Sequence, residues 1–381
     1  MDTYLLCSRI DSSNAEEFEK EIRAVFSEGF PDVLILDASD LLYISSAGLR
    51  VLLRLKKEIG HIRMIHISSE IHEILEMTGF NQILETERAL RKISTDGCPV
   101  IGRGAHGVVY RIAPDTIVKV YHPGESMEEI RRERELARWA FIRGVPTAIP
   151  YDVVQVGEQY GTVFELLNAR SAAEYIQESP ENLDDFVRRS VLLMKQIHSV
   201  EVMQGELPEM KQNMLEWMET VRRVSETGPG AGLPEEVCDR LETMICETKD
   251  SHTLLHADLH LKNIMICGDE LMLIDMDTLC AGDPVFDLAT IFNSYWEFPS
   301  IDPEAAAFLG IDVETSFEIF DRTMEYYLSG SDSAEREDTM KRAQIFGCIR
   351  IIGYIIRQKD LPVRDLIVER CLQDIKELIL C

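Results

Sequence analysis

Polar residues near position 260 have the types and spacing of a phosphoryl-transfer site. Residues 255–264 read L-H-A-D-L-H-L-K-N-I, so Asp258 precedes Asn263 by one short loop, and an apolar run then leads to Asp275. A carboxylate in such a loop can take or orient the proton of an acceptor hydroxyl. An amide and a second carboxylate can hold Mg²⁺, which prefers hard oxygen ligands. The alternative is an acidic hairpin without chemical meaning, which the combined order, spacing and flanking apolar runs disfavour.

A glycine pattern followed by a lysine forms a second group. Gly102, Gly104 and Gly107 have the spacing G-x-G-x-x-G-x-V, and glycines let main-chain N–H groups approach a phosphate closely. A tight hairpin turn needs the same glycines. Lys119 follows in the apolar run 117–120, where a lysine either solubilises an edge strand or is directed at phosphates. The two features together favour a nucleotide site.

An acidic partner for this lysine is expected on the next helix. Glu133 lies in the charged run R-R-E-R-E at residues 131–135, and such a run is ordinarily a solvated face. A Lys–Glu ion pair needs one acid that points inward. The position of Glu133, six residues before Trp139, favours it over Glu135.

The elements that must position these residues divide the chain at a polar stretch, S-T-D-G, at residues 94–97. The preceding residues alternate short strands and helices, which implies a mostly parallel sheet covered by helices. Residues 98–165 look strand-rich with one helix near 126–142, and helical patterns dominate from about 171. This is the layout of a kinase. The run V-F-E-L-L at 163–167 fits the link between its two lobes, where backbone groups of Glu165 and Leu167 would meet adenine.

Residues from about 95 to 381 resemble the aminoglycoside phosphotransferase and choline-kinase-related family of kinase-like enzymes. The catalytic loop of that family typically reads H-x-D-L/F-H-x-x-N, as residues 256–263 do, and residues 282–289 (G-D-P-V-F-D-L-A) resemble the segment after its metal-binding strand. The resemblance implies an α+β bilobal protein-kinase-like fold over residues 94–381, with a β-rich N-lobe at about 95–167 and a helical C-lobe at about 168–381. ATP and Mg²⁺ would be its cofactors.

The same resemblance assigns roles to individual residues. Asp258 is the catalytic aspartate, and Asn263 and Asp275 are the metal ligands. Lys119 and Glu133 are the pair that positions ATP.

Further polar residues around the catalytic loop are also expected to matter. Asp287 would brace the loop from the first helix of the large lobe. His256 and His260 would orient the loop through hydrogen bonds. Asp277 is open to two interpretations, contact with a second metal ion or a structural hydrogen bond.

The N-terminal part resembles another family. Residues 36–39 (L-D-A-S) and 43–50 (Y-I-S-S-A-G-L-R) closely resemble the signature of STAS domains, the anti-sigma-factor antagonist family, and residues 75–80 fit a flanking segment. The resemblance implies an α/β domain over residues 1–93 and a protein partner for it. In that family a serine or threonine at the start of this helix can be phosphorylated, and Ser46 is the matching position. A helix N-terminus also favours an anion on physical grounds, although Ser45 or Ser46 as a simple helix cap is an equally physical alternative.

The composition and charge of the chain limit its possible partners, its location and its cysteine chemistry. The net charge of −28 repels nucleic acid and anionic lipid and attracts cationic ligands. The sequence shows no basic-then-apolar signal pattern and no apolar run near 18 residues, so we expect a cytoplasmic protein without nucleic-acid binding or membrane insertion. The nine cysteines are scattered and never spaced as C-x-x-C, which argues against a disulfide framework and against a structural zinc site.

The leading hypothesis is an ATP- and magnesium-dependent phosphotransferase that moves the γ-phosphoryl group to a hydroxyl of a small-molecule acceptor, under regulation or localisation by the N-terminal domain. An acidic large lobe is compatible with a cationic acceptor such as an aminoglycoside or choline. The alternative is a signalling protein kinase that phosphorylates a protein hydroxyl such as Ser46. A catalytically silent nucleotide-binding scaffold is disfavoured because Lys119, Asp258, Asn263 and Asp275 are all present.

Overall fold

The computed structural model describes residues 3–27, 29–104, 106–227, 232–249, 252–357 and 363–380. The contacts within the chain define two units. The first comprises Met1–Asp96 and Val153–Tyr160, and the second comprises Gly97–Asp152 and Gly161–Cys381.

The first unit is an α/β domain built on a four-stranded parallel sheet. Its elements in chain order are β1 (Thr3–Leu5), β2 (Arg9–Ile10), α1 (Ala15–Val25), β3 (Val33–Asp37), β4 (Tyr43–Ile44), α2 (Ser46–Ile59), β5 (His61–Ile67), α3 (Ser69–Met77), a 3₁₀ turn (Phe80–Gln82), β6 (Glu85–Arg88) and β7 (Arg91–Ile93). The sheet has the order β1-β3-β5-β6, and each of its pairs is parallel. The mostly parallel sheet predicted from the strand–helix alternation is therefore confirmed.

Helix α2 is fixed to this domain by a stripe of apolar residues and by one glycine. Leu49, Leu52 and Leu55 are buried at the helical spacing seen in the sequence. A Cβ atom on Gly48 would lie 2.7 Å from Cγ2 of Ile10, so the first turn of α2 lies against β2 without room for a side chain. This contact sets the position of the N-terminus of α2.

The second unit begins with strands and continues with helices. Its elements are β8 (Val100–Arg103), β9 (Gly107–Ala113), β10 (Thr116–Tyr121), α4 (Met127–Ile142), β11 (Pro150–Val156), β12 (Gln159–Glu165), β13 (Arg170–Ser171), α5 (Ala172–Glu178), α6 (Pro180–Ile197), α7 (Met210–Thr227), α8 (Glu235–Cys246), β14 (Leu254–Leu255), a 3₁₀ turn (Leu261–Asn263), β15 (Ile264–Cys267), β16 (Glu270–Leu273), β17 (Cys280–Ala281), α9 (Val285–Phe292), a π-helical turn (Asn293–Glu297), α10 (Phe298–Ile301), α11 (Glu304–Leu309), α12 (Val313–Tyr327), α13 (Ser333–Ile355) and α14 (Arg364–Leu380). Of β11 and β12, residues 150–152 and 161–165 belong to this unit, and the remainder belongs to the first.

The strands of this unit place the predicted nucleotide-binding residues on neighbouring elements. Strands β11, β12, β10, β9 and β8 follow one another in the sheet, and β10 pairs antiparallel with both β9 and β12. The β15–β16 hairpin pairs with β13. Because β15 begins directly after the predicted catalytic loop, this hairpin anchors the loop to the helical part of the unit.

A continuous apolar core holds the helices of the second unit together. Helix α13 packs against α7, α9 and α14, and it supplies a run of fully buried residues that includes Ile345, Phe346 and Ile349. At about 25 cal/mol per Å² of apolar surface, burial of this kind is the main stabilising contribution. Among the described helices, none combines the length and the apolar character that crossing a membrane requires.

Candidate active site

Lys119 of β10 meets two carboxylates. Its Nζ atom lies 2.7 Å from Oε1 of Glu133 and 3.0 Å from Oδ1 of Asp275. Burial opposes the charge on Lys119, but the two carboxylates outweigh burial and raise the pKa of Lys119 above its ordinary value. The lysine is therefore a permanent cation at this point.

The choice between the two acids of α4 is visible in the structure. The side chain of Glu133 is 10% exposed and faces Lys119, whereas the side chain of Glu135 is 58% exposed and pairs with Arg134. The helix starts from a capping box in which Oγ of Ser126 accepts the N–H of Glu129 and the Glu129 carboxylate accepts the N–H of Ser126. This fixed start sets which side chains of α4 point inward.

The glycine pattern forms the β8–β9 hairpin. The N–H of Gly104 donates to the carbonyl of Gly107 at 2.9 Å, while Ala105 of the motif lies outside the described residues. A Cβ atom on Gly107 would lie 2.2 Å from the carbonyl oxygen of Val120, whereas one on Gly104 would meet nothing within 4 Å. Gly107 therefore serves close strand packing, and Gly104 leaves open space at the turn.

The predicted catalytic loop holds Asp258 and Asn263 against each other. The Nδ2 group of Asn263 donates to the carbonyl oxygen of Asp258 at 2.9 Å and to its Oδ2 atom at 3.0 Å. The Nε2 atom of His260 lies 3.5 Å from Oδ2 of Asp258. Burial opposes ionisation of Asp258, but the hydrogen bond and charge of His260, aided by Arg350, hold the pKa of Asp258 to about 2. Asp258 is therefore an anion at neutral pH.

Asp287 braces this loop from beneath. Its carboxylate accepts the main-chain N–H groups of His256 and Ala257 at 3.1 Å and 2.7 Å, and Nε2 of His198 lies 3.0 Å away. Ala257 has a φ of +62°, a left-handed conformation that is unfavourable for alanine. The bracing expected of Asp287 is present, but its helix is α9, which follows the predicted metal-binding strand. The expectation that it would be the first helix of the large lobe was wrong.

The two predicted metal ligands lie at the open end of the β15–β16 hairpin. Ile264 pairs with Leu273, and the N–H of Ile274 donates to the carbonyl of Asn263 at 3.0 Å. Asp275 follows immediately, with a φ of +65°. Strand pairing therefore brings Asn263 and Asp275 to one place from separate sequence segments.

These residues fit Mg²⁺ by their chemistry. Because the Nδ2 group of Asn263 donates to Asp258, its Oδ1 atom remains the acceptor side of the amide. Asp275 uses Oδ1 towards Lys119 and offers a second carboxylate oxygen. A donor set of amide and carboxylate oxygens is the kind that Mg²⁺ takes in phosphoryl-transfer sites.

Asp277 lies near the same group of charges. Burial, followed by the negative charges of Asp275 and Glu133, raises the pKa of Asp277 to about 7. Both interpretations from the sequence, contact with a second metal ion and a structural role, remain open for this residue.

Glu165 and Leu167 lie where the strands give way to the helices. Glu165 is the last residue of β12, and its N–H donates to the carbonyl of Ile149 at 3.0 Å. Leu167 lies between β12 and β13. The position agrees with a link between lobes, and the contact of this segment with adenine stays a prediction.

Sequence reasoning missed Arg350 of α13. Its positive charge contributes to the low pKa of Asp258, and its guanidinium lies 5.6 Å from the ring centre of Trp217. A Cβ atom on Gly353 would lie 2.4 Å from this ring, so the missing side chain makes room for Trp217. The available signal was one arginine within the apolar run C-I-R-I-I at residues 348–352.

In the first unit, the structure separates the two serines before α2. Oγ of Ser45 accepts the N–H of Ala47 at 3.2 Å, which makes Ser45 the N-cap. Ser46 is the first residue of the helix and is exposed. The capping role therefore belongs to Ser45, and the Ser46 hydroxyl stands at an accessible helix N-terminus.

Family models match both parts of the chain. The model of the phosphotransferase enzyme family matches residues 97–316, and the model of the STAS domain matches residues 4–93. The family resemblances inferred from the sequence are thereby confirmed.

A curated relative matches the first unit. A Bordetella bronchiseptica protein named as an anti-sigma factor antagonist, BtrV, is 37% identical over 78 residues. The match covers 19% of this chain and 66% of that relative, so the chain spans slightly less than two thirds of the relative's length.

Solved structures of low sequence identity are similar to most of the chain. The structure of the aminoglycoside phosphotransferase APH(2'')-Ib with bound ADP has a TM-score of 0.50 at 18% identity, and the match covers 81% of this chain and 98% of that chain. The amicoumacin kinase hAmiN, in complex with AMP-PNP, Ca²⁺ and Ami, has a TM-score of 0.50 at 16% identity, covering 79% and 93%. Together with the family models, they confirm the predicted fold class, a STAS domain followed by a bilobal kinase-like fold.

Proposed function

This chain belongs to the phosphotransferase enzyme family, and from that premise we propose that it uses ATP and Mg²⁺ to phosphorylate a hydroxyl of a small-molecule acceptor. The observation that carries the proposal is the Lys119–Asp275 contact of 3.0 Å. This contact joins Lys119 of β10 to Asp275. The β15–β16 hairpin connects Asp275 to the Asp258–Asn263 segment. The bound ADP and AMP-PNP of the two similar structures support an adenine nucleotide as the donor.

The residues of the site would have separate roles in phosphoryl transfer. Lys119, held by Glu133, would bind phosphate oxygens of the nucleotide. The β8–β9 turn that contains Gly104 would cover the phosphates. Asn263 and Asp275 would hold Mg²⁺, which neutralises the charge that develops as the phosphoryl group moves.

Asp258 would receive the acceptor. The acceptor oxygen forms a bond to the γ-phosphorus, the bond from that phosphorus to the bridging oxygen of ADP breaks, and the hydroxyl proton passes to a carboxylate oxygen of Asp258. With a pKa of about 2, Asp258 is a weak base, so its main contribution is to orient the hydroxyl until the new bond is well advanced. This matches a loose transition state in which positioning and electrostatics dominate.

Two observations about charge guide the search for the acceptor. The chain carries a net charge of −28, which favours a cationic compound such as an amino-alcohol or an aminoglycoside. The positive charge of Arg350 contributes to lowering the pKa of Asp258. A positive charge that acts on Asp258 favours an acceptor with an anionic group near its hydroxyl. A panel must therefore contain both kinds of compound.

The test is ADP formation by the purified full-length protein with Mg-ATP and a panel of hydroxyl compounds. The panel holds aminoglycosides, choline, amino-alcohols, sugars and hydroxy acids, and the control is Asp258→Asn. We expect one class to accelerate ADP formation at least tenfold and the variant to abolish that acceleration. Acceleration that survives in Asp258→Asn, or a panel without any active compound, would count against a small-molecule kinase.

A protein hydroxyl is the second candidate acceptor, favoured by the exposed position of Ser46 at the start of α2. In this case the protein would be a signalling kinase, and phosphate on its STAS domain would change which partner binds. Intact-mass measurement after incubation with Mg-ATP distinguishes the candidates. A gain of one phosphate that requires Asp258 and Ser46, without acceleration by any compound, would favour the signalling function.

A further inference from the structure

Three metal-ligating side chains meet in the buried interior of the helical part, and none of them belongs to the proposed phosphoryl-transfer site. They are Glu297 of the π-helical turn, Cys348 of α13 and Cys371 of α14. One ligand atom from each lies within 4.8 Å of the others. The Cys371 thiol donates to Oε1 of Glu297 at 3.7 Å. Glu297 is 1% exposed and both cysteines are 0% exposed.

The fold brings these residues together by specific means. A π-helical turn at Asn293–Glu297 separates α9 from α10, and such turns re-aim side chains within a helix and often occur at functional sites. A Cβ atom on Gly347 would lie 2.4 Å from Oδ1 of Asn293. The absence of that side chain lets α13 approach the π-helical turn and places Cys348 near Glu297.

A second carboxylate lies behind the cluster. Asp374 is one turn of α14 beyond Cys371, and its Oδ2 atom accepts from Nε of Arg370 at 3.0 Å. A hydrogen bond joins the carboxyl groups of Asp374 and Glu297, and it requires a proton on one of the two.

Burial disfavours the charged forms of all three side chains. Burial, and next the charge of Asp374, raise the pKa of Glu297 to about 7. The pKa values of both thiols are raised as well. A bound metal ion reverses this balance because it stabilises thiolates and carboxylates directly.

We propose that Cys348, Cys371 and Glu297 supply three of the four ligands of a zinc site that fastens α13 and α14 to the π-helical turn. Thiolate and carboxylate ligands together suit Zn²⁺, whereas Mg²⁺ and Ca²⁺ take oxygen ligands. Tetrahedral zinc with ordinary bond lengths separates a thiolate sulfur from a carboxylate oxygen by about 3.5 Å and two sulfurs by about 3.8 Å. The 3.7 Å between Cys371 and Glu297 is close to the first value. All pairs of ligand atoms lie within 4.8 Å, so a bound ion would draw the remaining pairs together by about 1 Å or less.

Oxidation of the two cysteines to a disulfide is the competing chemistry. Thiols react as thiolates, and complete burial with raised pKa values makes these thiols slow nucleophiles that are shielded from an oxidant. The cysteines are separated in sequence and lie on different helices, which is why cysteine spacing alone argued against a zinc site.

The experiment measures the zinc content of the full-length protein, purified under reducing conditions, by elemental mass spectrometry. We expect about one zinc per chain in the wild type, and a loss of at least fivefold in Cys348→Ala and Cys371→Ala. Cys238→Ala is the matched control, because Cys238 is also a buried helical cysteine but lies outside the cluster. It should retain zinc. Cobalt substitution should give a thiolate-to-cobalt charge-transfer band that the two cluster variants lack.

A measurement on the wild type keeps the proposal testable if a variant fails to fold. Removal of zinc with a strong chelator should lower the melting temperature, and added zinc should restore it. Wild-type protein that binds less than a tenth of an equivalent of zinc and whose melting temperature ignores added zinc would overturn the proposal. So would zinc retained at full level in both cluster variants, or an intact mass two hydrogens lower that peptide mapping assigns to a Cys348–Cys371 disulfide.

Discussion

The carboxylate of Asp287 accepts the main-chain N–H of Ala257 at 2.7 Å, at a residue whose φ is +62°. An alanine in this conformation costs about 1–2 kcal/mol relative to a right-handed one. The hydrogen bond from α9 compensates for this strain and fixes the residue just before Asp258. A buried anion thus sets the geometry of the loop proposed to carry out catalysis.

Asp287→Asn should lower both stability and turnover. The amide keeps the size of the side chain but removes the negative charge that faces His198 and two N–H groups, and a broken buried pair costs about 3–5 kcal/mol. Urea unfolding at neutral pH measures the loss, and ADP formation measures the displacement of Asp258. Asp283→Asn, on a neighbouring aspartate with 9% exposure, is the control, and its effect on turnover should be smaller.

The effect of Asp287 should also depend on pH. Burial opposes its ionisation, but His198 and the donated N–H groups lower the pKa of Asp287 below its ordinary value. A lowered pKa gives stability that is present above the unfolded-state value of about 3.9 and is lost as the pH falls through the folded-state value. The stability difference between wild type and Asp287→Asn should therefore be full at pH 7 and shrink below about pH 4. A difference that stays constant across this range contradicts the assignment.

Glu133→Gln and Glu135→Gln form a matched pair on α4. Within the described residues, the Glu133 carboxylate contacts Lys119 at 2.7 Å, and Glu135 does not contact it. Loss of this ion pair frees Lys119 from its position, and misplacement of a phosphate-binding group can cost about 10²-fold. We expect kcat/KM for ATP to fall by roughly that factor in Glu133→Gln and less than twofold in Glu135→Gln. Equal effects would show that the lysine is not held by Glu133.

Gly107→Ala and Gly104→Ala separate packing from nucleotide binding. The new methyl group on residue 107 would lie 2.2 Å from the carbonyl oxygen of Val120, and overpacking of this kind costs about 1–3 kcal/mol. Gly104→Ala meets open space and should leave the melting temperature unchanged while it raises the KM for ATP. An unchanged KM in Gly104→Ala would indicate that the loop serves only the hairpin.

The candidate site could be predicted from the sequence where its residues have reactive side chains and lie at a characteristic spacing from nearby residues. Asp258 and Asn263 share one loop, and Lys119 stands out as a cation in an apolar strand, so each leaves a recognisable pattern. Arg350 acts from a helix far along the chain, and no local pattern connects it to Asp258. The helix that carries Asp287 was misplaced for the same reason, since the order of helices does not reveal which one packs beneath the loop.

The secondary structure was predictable for a related physical reason. Helix α2 follows from its stripe of leucines and strand β3 from the short apolar run V-L-I-L at residues 33–36, and both patterns depend on near neighbours. The meeting of Cys348 with Cys371 depends instead on how α13 and α14 pack. The close approach of α13 to the π-helical turn at Gly347 determines that packing. The sequence alone does not show which residue a glycine within a helix contacts.

Ser45 and Ser46 offer a final matched pair, because they are adjacent and the structure gives them different roles. Ser45→Ala removes the oxygen that accepts the N–H of Ala47 at 3.2 Å, and loss of an N-cap costs about 1 kcal/mol. Hydrogen exchange in the first turn of α2 should therefore speed up in Ser45→Ala and stay the same in Ser46→Ala. Phosphate uptake from Mg-ATP should show the reverse dependence if this domain is the acceptor, with loss in Ser46→Ala and retention in Ser45→Ala. Uptake that persists in both variants would place the acceptor hydroxyl elsewhere, and the accessible hydroxyl at the start of α2 would then have no part in the chemistry.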